Sequence, residues 1–121
     1  MADRLGIVVR RGPYGRIHAA EALSHAGGAV AKGWEVAVIL LGDGVYTAMP
    51  YQFSPDGSWI SLSDALHGLL NQSGSRLGLY VHDRSLTERG LEPSDIFRQC
   101  RVVGMDLISR LLAESGRVLV F

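Results

Sequence analysis

The stretch Leu79 to Leu91, LYVHDRSLTERGL, decides how this chain is read. It continues an apolar run that begins at Leu77 and passes, with no intervening linker, into His82, Asp83, Arg84 and Ser85 and then a short turn closed by Arg89-Gly90. A run that is apolar on both faces suits a strand covered from both sides, as in a parallel sheet. Ligands bind beyond the carboxyl ends of such strands, where His82 and Asp83 stand.

Working outward, Leu5 to Val9, Val36 to Leu41 and Val118 to Phe121 have the same character, and Cys100 to Val103 is a weaker fifth run. Helical segments alternate with them. The first is predicted from about Ile17 to Lys32, with Ile17, Ala20, Leu23, Gly27 and Val30 along one face; its small side chains suit close packing on a sheet. Gly27 and Gly28 each cost roughly 1 kcal/mol relative to alanine inside a helix, so the helix bends there or a neighbour comes close. The second starts after Ser61 or Ser63, carries Leu62, Ala65, Leu66, Leu69 and Leu70 inward and stops near Gly74. The third runs from Met105 to Glu114, with Ile108, Leu111 and Leu112 on one side, Arg110 and Glu114 on the other, and Gly116 as its stop. Alternating strands and helices predict an α/β domain with a mainly parallel sheet and right-handed crossovers.

A length of 121 residues fits a single domain, 1–121. Twelve Lys+Arg against twelve Asp+Glu give a formal net charge of zero. Such a chain has no bulk field to draw in nucleic acid or an anionic membrane, and little self-repulsion to oppose association. No basic stripe with interleaved aromatics is visible, so no direct nucleic-acid contact is expected. A single cysteine cannot close an intramolecular disulfide, and the N-terminal run reads as a strand and not as a signal peptide, so the expected location is a reducing cytoplasm. No apolar run approaches the roughly 20 residues that cross a bilayer.

Three loops are predicted to share the carboxyl edge. Arg11-Gly12-Pro13-Tyr14-Gly15 follows the first strand, with Arg10 and Arg16 beside it; it is either an anion-binding approach to a helix N-terminus or a tight turn with solvated arginines. Gly42-Asp43-Gly44-Val45-Tyr46 follows the second, and Asp43 is either a turn former or a site carboxylate. The third is His82-Asp83-Arg84-Ser85, in which Ser85 is predicted to cap the turn from Leu86 to Arg89. Gly12, Tyr14, Asp43, Tyr46, Asp83, Arg84 and Arg89 are the candidate ligand- or partner-binding residues. Between the second and third strands, Val45, Tyr46, Ala48, Met49, Pro50, Tyr51, Phe53 and Trp59 make an apolar connection. It either folds back on its own sheet or packs on another chain, and rarity of large apolar patches on monomers favours a subunit interface.

Two residues carry candidate chemistry. His82 is a general base or a hydrogen-bonded structural residue. Cys100, flanked by Arg98 and Arg101, is a thiolate favoured by positive neighbours or a small buried hydrophobe. His18, His25 and His67 lack an i, i+4 histidine partner, and no G-x-S-x-G elbow is present. No metal and no cofactor are expected.

At these same residues the sequence resembles the DsrE/DsrF-like family of sulfur-relay proteins, and most its DsrF (TusC) branch. The resemblance spans nearly the whole chain: the opening strand with Gly12 to Gly15 and the alanine-rich helix, LGDGVY at Leu41 to Tyr46, SLTERGLEP at Ser85 to Pro93, and the closing helix and strand ending RVLVF. It implies a three-layer α/β/α, flavodoxin-like domain with a mainly parallel five-stranded sheet. It also implies a cytoplasmic subunit of homo- or hetero-oligomers, trimeric or hexameric, that meets sulfur-carrier proteins in sulfur oxidation or tRNA thiolation. Catalytic members carry persulfide on a cysteine just after the third strand. Here His82 holds that position, and imidazole cannot replace a sulfur that must be attacked and released. Two expectations follow: a non-catalytic binding subunit, or a sulfurtransferase with its acceptor moved to Cys100. A third is a small-anion or nucleotide-binding module built on RRGPYGR.

Overall fold

The computed structural model describes residues 4–12, 18–49, 68–71 and 76–121, with His18 and Ala19 described in backbone only. Strands β1 (Arg4–Val9), β2 (Glu35–Leu40), β3 (Leu77–His82), β4 (Cys100–Val103) and β5 (Arg117–Val120) form one sheet in the order β4-β3-β2-β1-β5. Every pairing is parallel. Helix α1 (His18–Ala31) links β1 to β2, α2 (Asp83–Glu88) follows β3 directly, and α3 (Met105–Glu114) links β4 to β5. A 3-10 segment, Gly42–Ala48, leaves β2.

The chain moves one neighbour at a time from β1 to β4 and then jumps back to the far side of β1. Right-handed crossovers force the returning helix onto the opposite face when the direction reverses. One face of the sheet accordingly carries α1, the 3-10 segment and α2, and the other carries α3, which makes three layers. The strand order differs from the 2-1-3-4-5 order of flavodoxin itself.

Alternation along the strands sorts the core. Leu5, Ile7 and Val9, Val36, Val38 and Leu40, and Leu77, Leu79 and Val81 face the α1 side; Val8, Ile39 and Tyr80 face α3. On α1 the buried stripe is Ala22, Ala26 and Val30, with Leu23 packed beside it. Ala20, expected inward, is exposed, so the helix is rotated from the predicted face. Alanine decides the rotation because its short side chain lets the helix backbone approach the sheet. Ile17 and the second helix as far as His67 lie outside the described residues; Leu69 and Leu70 pack on the core as expected. Helix α3 buries Ile108 and half-buries Leu111 and Leu112. Its close approach to the sheet passes over Gly6, where a Cβ would stand 3.0 Å from Ser115 Oγ.

Two glycines behave in opposite ways. Gly28 has nothing within 4 Å of a built Cβ, and Gly27 meets only Leu69 at an ordinary 3.8 Å, so α1 neither needs a close neighbour at these positions nor stops there. A Cβ built on Gly44 would fall on the Val9 carbonyl, a backbone atom that cannot move aside. Gly28→Ala is therefore expected to stabilise the fold by about 0.5–1 kcal/mol. Gly44→Ala is expected to destabilise it by about 3 kcal/mol or more. Urea unfolding of both variants checks the pair, and a neutral Gly44→Ala would show that the 3-10 segment does not rest on β1.

Candidate functional site

The ends of β1, β2 and β3 meet as the sequence predicts. Gly42, held at φ +54, donates its N–H to Ser85 Oγ at 2.9 Å, which joins the loop after β2 to the first turn of α2. Ser85 Oγ lies 2.7 Å from His82 Nδ1. A hydroxyl with two lone pairs and one proton serves both contacts at once, and the tautomer of the ring sets the direction of the second. His82 Nε2 is 3.7 Å from Asp83 Oδ1, too long for a hydrogen bond. Ser85 therefore does not cap the turn after it: α2 begins at Asp83, Ser85 lies inside its first turn, and the hydroxyl points back across the sheet edge. The i, i+3 spacing of His82 and Ser85 was the signal for this pair, since residues three apart share a helix face.

Asp43 lies in the 3-10 segment after β2, and its carboxylate takes Arg89 Nε and Nη2, each at 3.0 Å. Arg89 Nη1 also donates to the Ser85 carbonyl at 3.1 Å. With Asp43 largely exposed, this ion pair contributes orientation more than stability. Asp83 turns Oδ1 to the Arg84 N–H, and the Arg84 side chain is exposed. Gly12 sits across from the Asp43 carbonyl, and Arg10, Arg11, Gly12 and Asp43 line a polar cleft of about 360 Å³. Tyr14 lies outside the described residues.

Loops after β1, β2 and β3 turn to one face and the loop after β4 turns to the other, so the point of divergence lies between β3 and β4. There Gly104 faces Asp83, whose Oδ2 is 3.7 Å from a built Cβ. Sequence reasoning missed this fourth loop because only the strand order reveals which neighbours diverge.

The apolar connection corrects a further expectation. Val45 and Ala48 are fully buried in the core of their own sheet, and the Ala48 carbonyl accepts the Phe97 N–H at 3.0 Å. Tyr46 and Met49 are half-buried. This part folds back as a cover, because Gly44 brings it directly onto β1; Pro50, Tyr51, Phe53 and Trp59 lie outside the described residues.

Of its two readings, Cys100 packs as the small apolar side chain. It aligns with Leu79 on the α1 face and packs against the main core, whereas Arg101 aligns with Tyr80 on the opposite face and Arg98 is exposed. Burial pushes the thiol up from 9.0 to about 12, partly opposed by a backbone hydrogen bond with Phe97. The arginines do not win, since one is across the sheet and the other is in solvent. Cys100 also stands three residues before the end of β4, roughly 10 Å back from the site at strand spacing.

Over residues 3–121 the chain matches the DsrE/DsrF-like family. It belongs to that family. Among solved structures it is similar to the YchN protein of E. coli, with TM-score 0.86, 16% identity, and 98% of this chain and 99% of that one covered. It is also similar to MTH1491 from Methanobacterium thermoautotrophicum, with TM-score 0.74 and 16% identity over the same shares of the two chains. At that identity these two likenesses speak for the fold. No curated protein sequence matches the chain. Among the described residues no helix is long and apolar enough to cross a membrane.

Ser85→Ala leaves the Gly42 amide and His82 Nδ1 without their shared partner, and is expected to cost about 1–2 kcal/mol by urea unfolding; an unchanged midpoint would mean that water replaces the hydroxyl. For Cys100 the sign is that of a raised pKa: its contribution to stability is complete below pH 9 and lost as pH rises from 9 toward 12. At pH 8 the thiolate fraction is about a thousandfold below that of an ordinary thiol, so iodoacetamide is expected to label the native protein far more slowly than the urea-unfolded one. Equal labelling rates would contradict this burial.

Proposed function

We propose that this chain is a subunit of an intracellular sulfur-relay assembly that works by binding partner proteins and does not itself carry persulfide. Family membership supports the sulfur-relay setting. The observation that carries the non-carrying part is the chemistry at the end of β3. His82 occupies the place where the resemblance puts the acceptor cysteine, and its Nδ1 is engaged by Ser85. The chain's one thiol is turned into the core with its pKa raised to about 12. A persulfide carrier needs an accessible thiolate that attacks one sulfur and later releases another. Neither residue supplies it.

Partner binding in a homo- or hetero-oligomer, trimeric or hexameric, takes its support from the sheet margins. Strands β4 and β5 are edges, and Val102 on β4, Met105 after it, and Val118 and Val120 on β5 are exposed apolar side chains. An edge strand with exposed valines and neither proline nor lysine invites another chain. Sulfur-carrier proteins of a cytoplasmic relay, in sulfur oxidation or tRNA thiolation, are the partners proposed.

A second reading draws on the cleft lined by Arg10, Arg11, Gly12 and Asp43. Its one carboxylate is already paired with Arg89, which leaves the two arginines for a small oxyanion. Titration with inorganic phosphate reads this directly, and no heat or chemical-shift change would dismiss it.

The test of the main proposal is intact mass spectrometry of the native protein after incubation with a persulfide donor. The wild type is expected to take up no labile sulfur, and His82→Cys, which restores a thiol at the strand end, is expected to gain one sulfur atom. A sulfur adduct on native wild type that disappears in Cys100→Ser would overturn the proposal and make Cys100 the carrier.

A further inference from the structure

The α3 face of the sheet carries a second pocket, of about 420 Å³, that extends from Tyr80 and Arg101 toward the starts of the strands. Arg4 and Glu35 begin β1 and β2 and Arg76 precedes β3, so the pocket opens toward the amino ends of the strands. Its depth comes from small residues. Ala37 and Gly78 are paired neighbours on this face, and the strand surface between them is low. Tyr80 exploits the glycine: a Cβ at Gly78 would stand 2.8 Å from Tyr80 Cε2 and 2.9 Å from its hydroxyl, so the ring lies along the strand over Gly78. Leu111 of α3 supplies an aliphatic wall.

The rim is cationic. Arg4, Arg76 and Arg101 line the pocket against a single carboxylate, Glu35. Arg4 is already committed, to Glu35 at 3.1 Å and to Glu114 at 3.2 Å. Among the described residues Arg76 and Arg101 have no carboxylate partner, and Arg101 aligns with Tyr80 on the same face. A pocket of a few hundred Å³ with an aromatic ring and an aliphatic wall inside and charged groups at its rim suits a small-molecule site.

We infer that this pocket binds a small aromatic anion, with its ring against Tyr80 and Leu111 and its carboxylate or phosphate held by Arg76 and Arg101. Guanidinium groups recognise both oxyanions through paired N–H donors, and an apolar ring alone or an oxyanion alone would use half of the site. The inference does not depend on the sulfur-relay proposal: it concerns other residues, on the α3 face of the sheet.

Phenyl phosphate is the probe, followed by amide chemical shifts of the whole chain, with inorganic phosphate and phenol titrated separately. The expected result is saturable shifts at Ala37, Gly78 and Tyr80, with each half-probe bound at least about tenfold more weakly. Arg76→Gln and Arg101→Gln are expected to weaken phenyl phosphate by about tenfold or more at unchanged Tm, and Tyr80→Leu to weaken it while keeping the fold. Three results would overturn the inference: no saturation by about 10 mM, binding unaffected by the double arginine variant, or shifts confined to the cleft at Arg10 and Asp43. Protection of Gly78 and Tyr80 by self-association, with no displacement by the probe, would overturn it too and make the face an interface.

Discussion

The approach of the 3-10 segment to the end of β1, backbone against backbone at Gly44 and Val9, governs the site. It allows no side chain at that point, and it turns Gly42 and Asp43 toward α2. The Gly42 amide then meets Ser85, and Asp43 meets Arg89. Because α2 starts without any linker after His82, these two contacts also fix where the imidazole stands. Moving the segment outward by one Cβ would loosen the hydrogen bond, the ion pair and the cover formed by Val45 and Ala48 together.

The two faces of the sheet divide the labour. The α1 side is a dense apolar layer that takes in Cys100 and raises its pKa, which is a structural use of sulfur. Among the described residues the α3 side carries one helix, and small residues at Gly6, Ala37 and Gly78 let that helix sit close while leaving a cationic hollow beside it. Exposed valines at the β5 edge lie on this thinner side, which suits contact with other molecules better than the sealed face does.

The loops around His82 keep their mutual positions through the Gly42–Ser85 and Ser85–His82 hydrogen bonds, the charge-assisted bond from Arg89 to the Ser85 carbonyl, and the surface ion pair of Asp43 with Arg89. None of these contacts involves a thiol.

The sequence by itself determined the five strands to within a residue or so, the parallel α/β class, the extent of α3 and the meeting of three loops at one edge. These are local or near-local facts: apolar runs set strands, and parallel strands place their carboxyl ends together. It also carried the family, through the order of LGDGVY, SLTERGLEP and RVLVF. Tertiary structure decided the rest. Which face of α1 is buried depended on how close alanines let it come, a distance invisible in a periodicity. Alternation puts Arg101 on the face opposite Cys100, and strand pairing tells that the Cys100 face is the one packed on the main core. Ser85 acts across the chain on Gly42, 43 residues away, and no local pattern marks such a contact. The hollow beside α3 exists because the neighbouring strands β2 and β3, whose residues are far apart in the sequence, align Ala37 with Gly78, a register set only when the sheet is assembled.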